Sequence, residues 1–260
     1  MGDRKWRKLG ILGGLAVAVA LTIPAAPAMA GGGGTAYTCT GGDIPSGTYS
    51  SITVTGACDV VPDAVITVTG NLNVAPGAFF DAQSAPSTIT VGKNVTGGAG
   101  ALVGLGCQPD SMFGHAGHEC MVEPDGHSVI TVKGNVTGTD TVVFLLNGIT
   151  VGGNVTLTGG GSLDIPWSVK NNTVGGNLTM GDITNQWLGL LWNQVGGNLS
   201  LSNITIFDEH PGAPGVYIVE NTVGKNLNCT ALTPGVSGGF IPGEVNHVAR
   251  HANGQCAALV

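Results

Sequence analysis

The residues best suited to metal chemistry lie in one short interval in the middle of the 260-residue chain. Two histidines three positions apart, beside carboxylates, are ligands that Zn²⁺ or Cu²⁺ accepts. The interval runs from Cys107 to Cys120 and contains Asp110, His115, His118 and Glu119. The two cysteines lack the Cys-x-x-Cys spacing of thiolate ligands. We therefore predict a disulfide-closed surface loop and no cofactor, and keep His115, His118 and Glu119 as candidate metal ligands.

A second pair of histidines lies near the end of the chain. His247 and His251 are four residues apart, a spacing that brings two side chains together on a helix. We predict a short helical turn there that carries solvated histidines, with metal binding as the alternative.

Cleavage of a polysaccharide by a glycosidase would require two carboxylates facing each other across the scissile bond. The carboxylates available in the second half of the chain are Asp164, Asp182, Asp208, Glu209 and Glu220. No motif selects a pair of them. We therefore predict a non-catalytic protein, and the alternative is a polysaccharide lyase or a glycoside hydrolase.

Three tryptophans are candidates for contact with a glycan. Trp167, Trp187 and Trp192 fall in predicted bulges between repeats, at Gly159 to Trp167 and at Trp187 to Trp192. Because an aromatic face is apolar and flat, it can stack on a sugar ring. Packing of the indoles over the ends of repeats is the alternative.

All these groups are carried on a repeat whose most regular form is Val174–Leu178, with the sequence Val-Gly-Gly-Asn-Leu. Its Asn recurs in steps of 23, 41, 19, 23, 21 and 28 residues, and we count the step of 41 as two units. The positions are Asn71, Asn94, Asn135, Asn154, Asn177, Asn198 and Asn226. A period of about two dozen residues is typical of a solenoid, in which no unit buries its apolar face alone.

Each unit has the pattern strand, corner, strand. Triplets such as Ile89–Val91 and Ile149–Val151 alternate branched apolar residues with Thr, which predicts a strand. The Gly and Asn that follow tolerate positive φ and allow a corner. We predict an all-β fold, a single-stranded parallel β-helix of about ten right-handed coils with disulfide-stapled caps. The corner asparagines should stack as a hydrogen-bonded ladder.

The first thirty residues predict a signal peptide. A basic segment from Arg4 to Lys8, an apolar run from Leu9 to Ile23 and small residues at Ala28 to Ala30 follow the usual order. A retained membrane anchor is the alternative, although the apolar run is short for a span. We expect cleavage near Gly31, no membrane span afterwards, and a secreted product associated with the cell surface.

Residues 31–260 carry five basic and fifteen acidic side chains, a net charge of −10. Proteins that bind nucleic acid neutralise phosphates with clustered Lys and Arg. The charge therefore argues against nucleic acid as a partner.

All six cysteines lie after the predicted signal peptide, and an even number in an exported chain predicts disulfides. Six cysteines allow fifteen pairings. Proximity in sequence favours Cys39 with Cys58, Cys107 with Cys120, and Cys229 with Cys256. Two of these pairs would close the ends of the solenoid, where strand edges are otherwise unpaired.

The pattern divides the chain into four parts. We predict a signal peptide at 1–30, an N-terminal leader and cap at 31–63, β-helix repeats at 64–229 and a C-terminal cap at 230–260. Within the repeats, residues 104–125 break the pattern and predict an inserted loop that projects from the solenoid. A further bulge is predicted from Asp208 to Gly215.

The last repeats have a specific form: Asn172–Leu178, Asn193–Leu199, Asn221–Asn228 followed by Cys229, and the closing segment Asn253–Cys256. These motifs resemble a group of secreted repeat proteins of actinobacteria, a resemblance that covers most of residues 31–260 and implies no established chemistry. More distantly, the repeat is similar to that of bactofilins, polymer-forming β-helix proteins, which implies end-to-end self-association.

From these patterns we predict a secreted, non-catalytic structural or adhesive protein of the cell surface or extracellular matrix. The alternative is a β-helix that binds or degrades carbohydrate.

Overall fold

The computed structural model describes residues 34–207, 215–238 and 245–260. The predicted signal peptide, the candidate carboxylates Asp208 and Glu209, most of the predicted bulge at 208–215 and part of the predicted C-terminal cap lie outside these ranges.

The fold is a parallel β-helix, as predicted. Successive strands go in turn to three sheets, A, B and C, and each strand pairs in parallel with its equivalent in the next coil. Sheet A contains β1 (Ala36–Cys39), β4 (Ser51–Val54), β7 (Leu72–Val74), β10 (Val95–Gly97), β13 (Val136–Thr139), β16 (Val155–Thr158), β19 (Leu178–Asn185), β22 (Leu199–Ile206), β25 (Leu227–Thr233) and β28 (Ala252–Gly254). Sheet B contains β2 (Gly42–Asp43), β5 (Ala57–Asp59), β8 (Phe79–Ala82), β11 (Leu102–Leu105), β14 (Val143–Asn147), β17 (Trp167–Lys170), β20 (Leu188–Leu191), β23 (Val216–Val219) and β26 (Val236–Ser237). Sheet C contains β3 (Gly47–Tyr49), β6 (Ala64–Val68), β9 (Ser87–Val91), β12 (Val129–Val132), β15 (Thr150–Val151), β18 (Thr173–Val174), β21 (Gln194–Val195), β24 (Thr222–Val223) and β27 (His247–Val248). Short 3₁₀ helices span Asp110–Met112 and Gln255–Ala258.

The alternation of apolar and polar residues forms these strands. In β6, Ala64, Ile66 and Val68 are buried, whereas Val65 is exposed. Inward side chains from all three sheets form one continuous core. Full burial of each Val, Leu or Ile contributes about 1.5–3 kcal/mol relative to an exposed side chain, so the core requires the coils to stack.

The seven corner asparagines form one column between sheets C and A. The backbone N–H of Asn94 donates to Asn71 Oδ1 at 3.1 Å, and that of Asn135 donates to Asn94 Oδ1 at 2.9 Å. The same bond joins Asn154, Asn177, Asn198 and Asn226 in turn. Because Asn135 follows Asn94 directly and β13 pairs with β10, the step of 41 residues is one coil with an insertion. Counting it as two units was wrong.

A second column of asparagines, which the repeat analysis missed, lies inside the helix at the corner from sheet B to sheet C. Asn172, Asn193, Asn221 and Asn246 are at most 2% exposed. In this column Asn193 Nδ2 donates to Asn221 Oδ1 at 2.9 Å and to the Val169 carbonyl at 2.8 Å. Such complete pairing offsets the cost of burying the amides. We call this column the inner ladder.

All three predicted disulfides are formed. The Cα–Cα distances are 6.4 Å for Cys39–Cys58, 4.9 Å for Cys107–Cys120 and 5.3 Å for Cys229–Cys256. The first joins sheets A and B in the first coils, and the third joins β25 to the terminal 3₁₀ helix. Such bonds are typical of a protein that folds outside the cytoplasm.

Strands are present within both predicted caps. Residues 36–59, within the predicted leader and cap, supply β1 to β5. His247 lies in β27, and His251 donates its backbone N–H to Asn226 Oδ1 at 3.3 Å. The helical turn predicted for these two histidines was therefore wrong. Across the described ranges, no helix has the length and apolar character needed to cross a membrane.

Candidate functional site

Residues 106–128, which we call the insertion loop, connect β11 to β12 at the corner from sheet B to sheet C. The backbone N–H of Ser128 donates to the Cys107 carbonyl at 2.8 Å, so the two ends of the loop meet. Gln108 and His118 exchange two backbone bonds, of 2.6 and 3.0 Å. With the Cys107–Cys120 disulfide, these contacts make the loop a closed unit.

We predicted that the insertion loop projects from the solenoid, and this was wrong. The loop lies against sheet B and its corner in later coils. Gln108 Nε2 donates to the Gly148 carbonyl at 2.9 Å. Lys170 Nζ at the end of β17 donates to the Gly117 carbonyl. On the other side, the Val122 backbone N–H donates to the Ser84 carbonyl at 3.0 Å. The loop is thus fixed to coils before and after its own.

The aromatic stack of Phe113, His115 and Trp192 fastens the tip of the loop. The His115 ring lies 4.0 Å from that of Trp192 and 5.4 Å from that of Phe113, nearly parallel to both. Trp192 has a φ of 56°, which is costly for a bulky residue. Its Nε1 donates to Glu220 Oε2 at 2.9 Å. These contacts offset the backbone strain and fix the indole in place.

Of the three tryptophans predicted as candidates for contact with a glycan, Trp187 remains a candidate. Trp167 is wholly buried in the core, with Nε1 donating to the Val142 carbonyl at 2.9 Å. One face of Trp192 is covered by His115. Trp187 is half-buried on the outer face of sheet B, over Gly189 and 5.3 Å from the ring of Tyr217. The prediction was wrong for Trp167, because that side chain points inward.

The predicted bulge from Trp187 to Trp192 is instead the regular strand β20. Its sequence, Leu-Gly-Leu-Leu, lacks polar alternation because both faces of the strand are covered. The bulge predicted before Trp167 lies at residues 159–166 and contributes to the site.

The structure does not bring the three candidate metal ligands together. His115 belongs to the aromatic stack, His118 contacts Gln83, and Glu119 is exposed. Within the described ranges, no three His, Cys, Asp or Glu side chains converge as a metal site would require.

Of the candidate carboxylates, the three within the described ranges lie on different elements. Asp164 is exposed in the 159–166 bulge. Asp182 accepts a bond of 2.7 Å from Asn203 Nδ2, in strands of sheet A. Glu220 lies at the corner after sheet B, where it holds Trp192.

Two cavities lie side by side between the insertion loop, the 159–166 bulge and the outer face of sheet B. Cavity 1 has a volume of about 270 Å³ and cavity 2 about 570 Å³. His118, Leu145 and Ile165 line both, so the cavities adjoin. We call the pair the sheet B groove.

The two cavities differ in chemistry. Cavity 1 is mainly hydrocarbon, contributed by Phe79, Leu102, Met121, Val143, Leu145 and Ile165. Cavity 2 combines an apolar wall with polar groups, including Pro166, Trp187, Ser168, Lys170 and Gln186. The groove therefore becomes more polar from one end to the other.

Burial shifts the titration of two residues of the groove. It lowers the pKa of His118 to about 4, with a further contribution from the charge of Lys170, while Asp81 acts in the opposite direction. Burial also lowers the pKa of Lys170, against the opposing charge of Asp110. The Gln83 amide donates to His118 Nε2, which requires an unprotonated nitrogen there. At neutral pH the imidazole is therefore uncharged.

Most residues of the groove were not predicted, because an outward position on a strand usually faces solvent. One signal was available. β14 contains Val-Phe-Leu-Leu without alternation, which indicates a strand covered on both faces. The role of Lys170 could not be predicted in this way, because it depends on the fold of a loop that lies 53 residues earlier in the chain, at Gly117.

No protein-family model matches the chain, and neither a curated protein nor a solved structure matches it.

Proposed function

We propose that this protein is exported and acts as a non-catalytic structural or adhesive β-helix of the cell surface or extracellular matrix, attaching through the sheet B groove. The observation that carries the proposal is the fastening of the insertion loop over sheet B by hydrogen bonds, an aromatic stack and a disulfide. A preformed groove on a rigid support is the usual form of a binding site.

The titratable groups in and beside the groove favour binding over catalysis, because each is already hydrogen-bonded within the protein. Asp81 accepts bonds of 2.8 and 2.9 Å from two backbone N–H groups and one of 2.6 Å from Ser84 Oγ. Asp110 accepts from the Gly117 backbone at 2.5 Å. His118 and Lys170 contact Gln83 and Gly117. Acid–base catalysis would need these groups free to exchange protons with a substrate.

Export to the cell surface is supported by the signal-peptide pattern of residues 1–30 together with the three disulfides. The disulfides at the two ends of the solenoid would also protect its terminal coils in an environment that contains proteases.

Co-sedimentation with isolated cell envelope of the source organism tests this function. The matched variant has Gln108–His127 replaced by one glycine, together with Cys107→Ser, and so lacks the loop but keeps the solenoid. We expect residues 31–260 to sediment with the envelope and the variant to remain in the supernatant. Equal sedimentation of both proteins would refute attachment through the groove. Release of soluble sugar fragments from the envelope would refute the non-catalytic assignment.

Saccharide binding is the second candidate, favoured by Trp187. Its half-exposed indole lies beside the Ser168 hydroxyl and the Gln186 amide in cavity 2, and an apolar ring with flanking hydrogen-bonding groups suits a sugar. Calorimetry with envelope oligosaccharides should then give heat that Trp187→Ala abolishes, with Phe207→Ala, at an exposed aromatic residue outside the groove lining, as the control. An unchanged titration of Trp187→Ala would reject this candidate.

A further inference from the structure

We infer that the sheet B groove binds an amphipathic molecule with one alkyl chain and one anionic head, of the long-chain carboxylate class. The alkyl chain occupies cavity 1 and the head lies beside Lys170 in cavity 2. This inference rests on the proposed function of the groove as a binding site, and it specifies the ligand.

Cavity 1 suits hydrocarbon rather than a hydroxylated ligand. Its walls are mainly the aliphatic and aromatic side chains already named. Its polar lining residues are already paired with each other or with the backbone: Asp81 accepts three hydrogen bonds, one of them from Ser84 Oγ, and Gln83 contacts His118. Two apolar residues at its rim remain exposed, Met121 at 80% and Ile165 at 37%. An alkyl chain would cover both, and burial of each methylene contributes about 0.8 kcal/mol.

The volume of cavity 1 limits the length of the alkyl chain that it can hold. An apolar cavity of about 150 Å³ holds benzene, whereas cavity 1 measures about 270 Å³. Scaled in this way, it accommodates roughly ten carbon atoms. The hydroxyl groups of a sugar ring would not match the apolar walls of this space.

Cavity 2 supplies the charge that a single anion requires. Lys170 is the cation in its lining, and one of its three N–H donors goes to the Gly117 carbonyl. The remaining donors can meet a carboxylate, and Ser168 and Gln186 lie in the same wall. The burial that lowers the pKa of Lys170 also strengthens its attraction for an anion.

The surroundings of Lys170 favour one negative charge over two. Asp110 interacts electrostatically with Lys170, and Asp81 faces His118, which is neutral at pH 7. A ligand with two charges would be repelled by these carboxylates. Because His118, Leu145 and Ile165 border both cavities, one molecule can extend from the apolar end to Lys170.

Isothermal titration calorimetry with decanoate, hexanoate and decan-1-ol at pH 7 tests the inference on residues 31–260. We expect decanoate to bind at least a hundredfold more tightly than hexanoate, since four methylenes are worth about 3 kcal/mol. We also expect it to bind at least tenfold more tightly than decan-1-ol, which lacks the charge. Equal affinity for decanoate and the alcohol would overturn the role of Lys170.

Variants separate the two ends of the groove. Gly104 lines cavity 1 on the outer face of β11, so Gly104→Leu should fill the cavity and weaken both ten-carbon ligands at least tenfold. Lys170→Met should weaken decanoate at least tenfold more than it weakens decan-1-ol, and Lys170→Arg should restore decanoate. The matched control is Lys133→Met, at an exposed lysine of another corner, which should change nothing. Circular dichroism establishes that each variant is folded.

The source of the ligand is distinguished by a third titration, with phosphatidylglycerol vesicles. Binding of decanoate without vesicle binding assigns the groove to a free amphiphile. Binding of vesicles or of an envelope oligosaccharide without decanoate binding would overturn the inference. The proposed function would survive that result, because loop-dependent sedimentation with envelope is measured independently of ligand class.

Discussion

At the scale of single residues, the groove is built from groups that both fasten the insertion loop and face its interior. Lys170 donates to the loop at Gly117, and His118 accepts from Gln83 beneath the loop. Any change in the charge of these residues should therefore alter the attachment of the loop as well as the surface offered to a ligand.

His118 should make loop attachment depend on pH. Its pKa is lowered from 6.5 to about 4 in the folded protein, so between these values a detached loop binds a proton that the attached loop does not. The stability of attachment is therefore complete above about pH 6.5 and is lost as the pH falls towards 4. Allowing for partial solvent exposure of the ring, the loss should reach roughly 2 kcal/mol.

Hydrogen exchange of residues 106–128, corrected for the intrinsic effect of pH, measures this loss. We expect protection to fall between pH 6.5 and 4 in the native protein and to stay constant in His118→Gln. The control is His127→Gln, which changes an exposed histidine of the same loop. Retention of the pH dependence in His118→Gln would exclude His118 as its cause.

At the scale of the structural element, the two asparagine columns should differ in their contribution to stability. Asn193 is fully buried, and its side chain pairs with Asn172, Asn221 and the Val169 carbonyl. Asn193→Ala removes a hydrogen bond from each of these buried groups, at a cost of about 1–3 kcal/mol each. Asn198→Ala, in the corner column, exposes its partners to water, which can replace the lost bonds.

Urea denaturation of the two variants compares the columns directly. We expect Asn193→Ala to lower the free energy of unfolding by about 3–5 kcal/mol, and Asn198→Ala by about 1 kcal/mol. Similar losses in both variants would show that burial does not distinguish the columns.

The two asparagine columns also differ in how far they could be predicted from the sequence. The Ile-Thr-Val and Gly-Asn pattern placed strands and corners, because burial on one face and positive φ each restrict residue type. Three members of the inner ladder were visible in the sequence as an Asn five residues before a corner Asn, as in Asn172 and Asn177. We did not recognise it, because a buried amide is satisfied by partners in other coils.

The predictions for Trp167 and for the insertion loop were wrong for a related reason. The glycines at 159–161 interrupt the period just before Trp167, so nothing local indicated that a strand begins at that residue. The loop could be recognised as an insertion, but its docking depends on contacts such as His115 with Trp192, between residues distant in sequence. Periodicity carries no information on contacts of that kind.

At the scale of the whole molecule, the insertion loop should be separable from the solenoid. β10 pairs directly with β13, and Asn135 donates to Asn94. The strand pairing of sheet A and the corner column of asparagines therefore continue across the insertion without any contact from the loop. Replacement of Gln108–His127 by one glycine shortens the step from Asn94 to Asn135 from 41 to 22 residues, within the range of the other coils.

We expect this deletion, combined with Cys107→Ser, to leave the far-ultraviolet circular dichroism of the β-helix unchanged. The free energy of unfolding should fall by roughly 2–4 kcal/mol, because apolar side chains of sheet B such as Leu102 and Leu145 lose their cover. Cys107→Ser with Cys120→Ser, which keeps the loop but opens its base, is the matched control and should show a smaller loss. If the deletion instead abolishes the β-sheet spectrum while the serine variant folds, the loop is required to form the solenoid, and the groove and its support are a single folding unit.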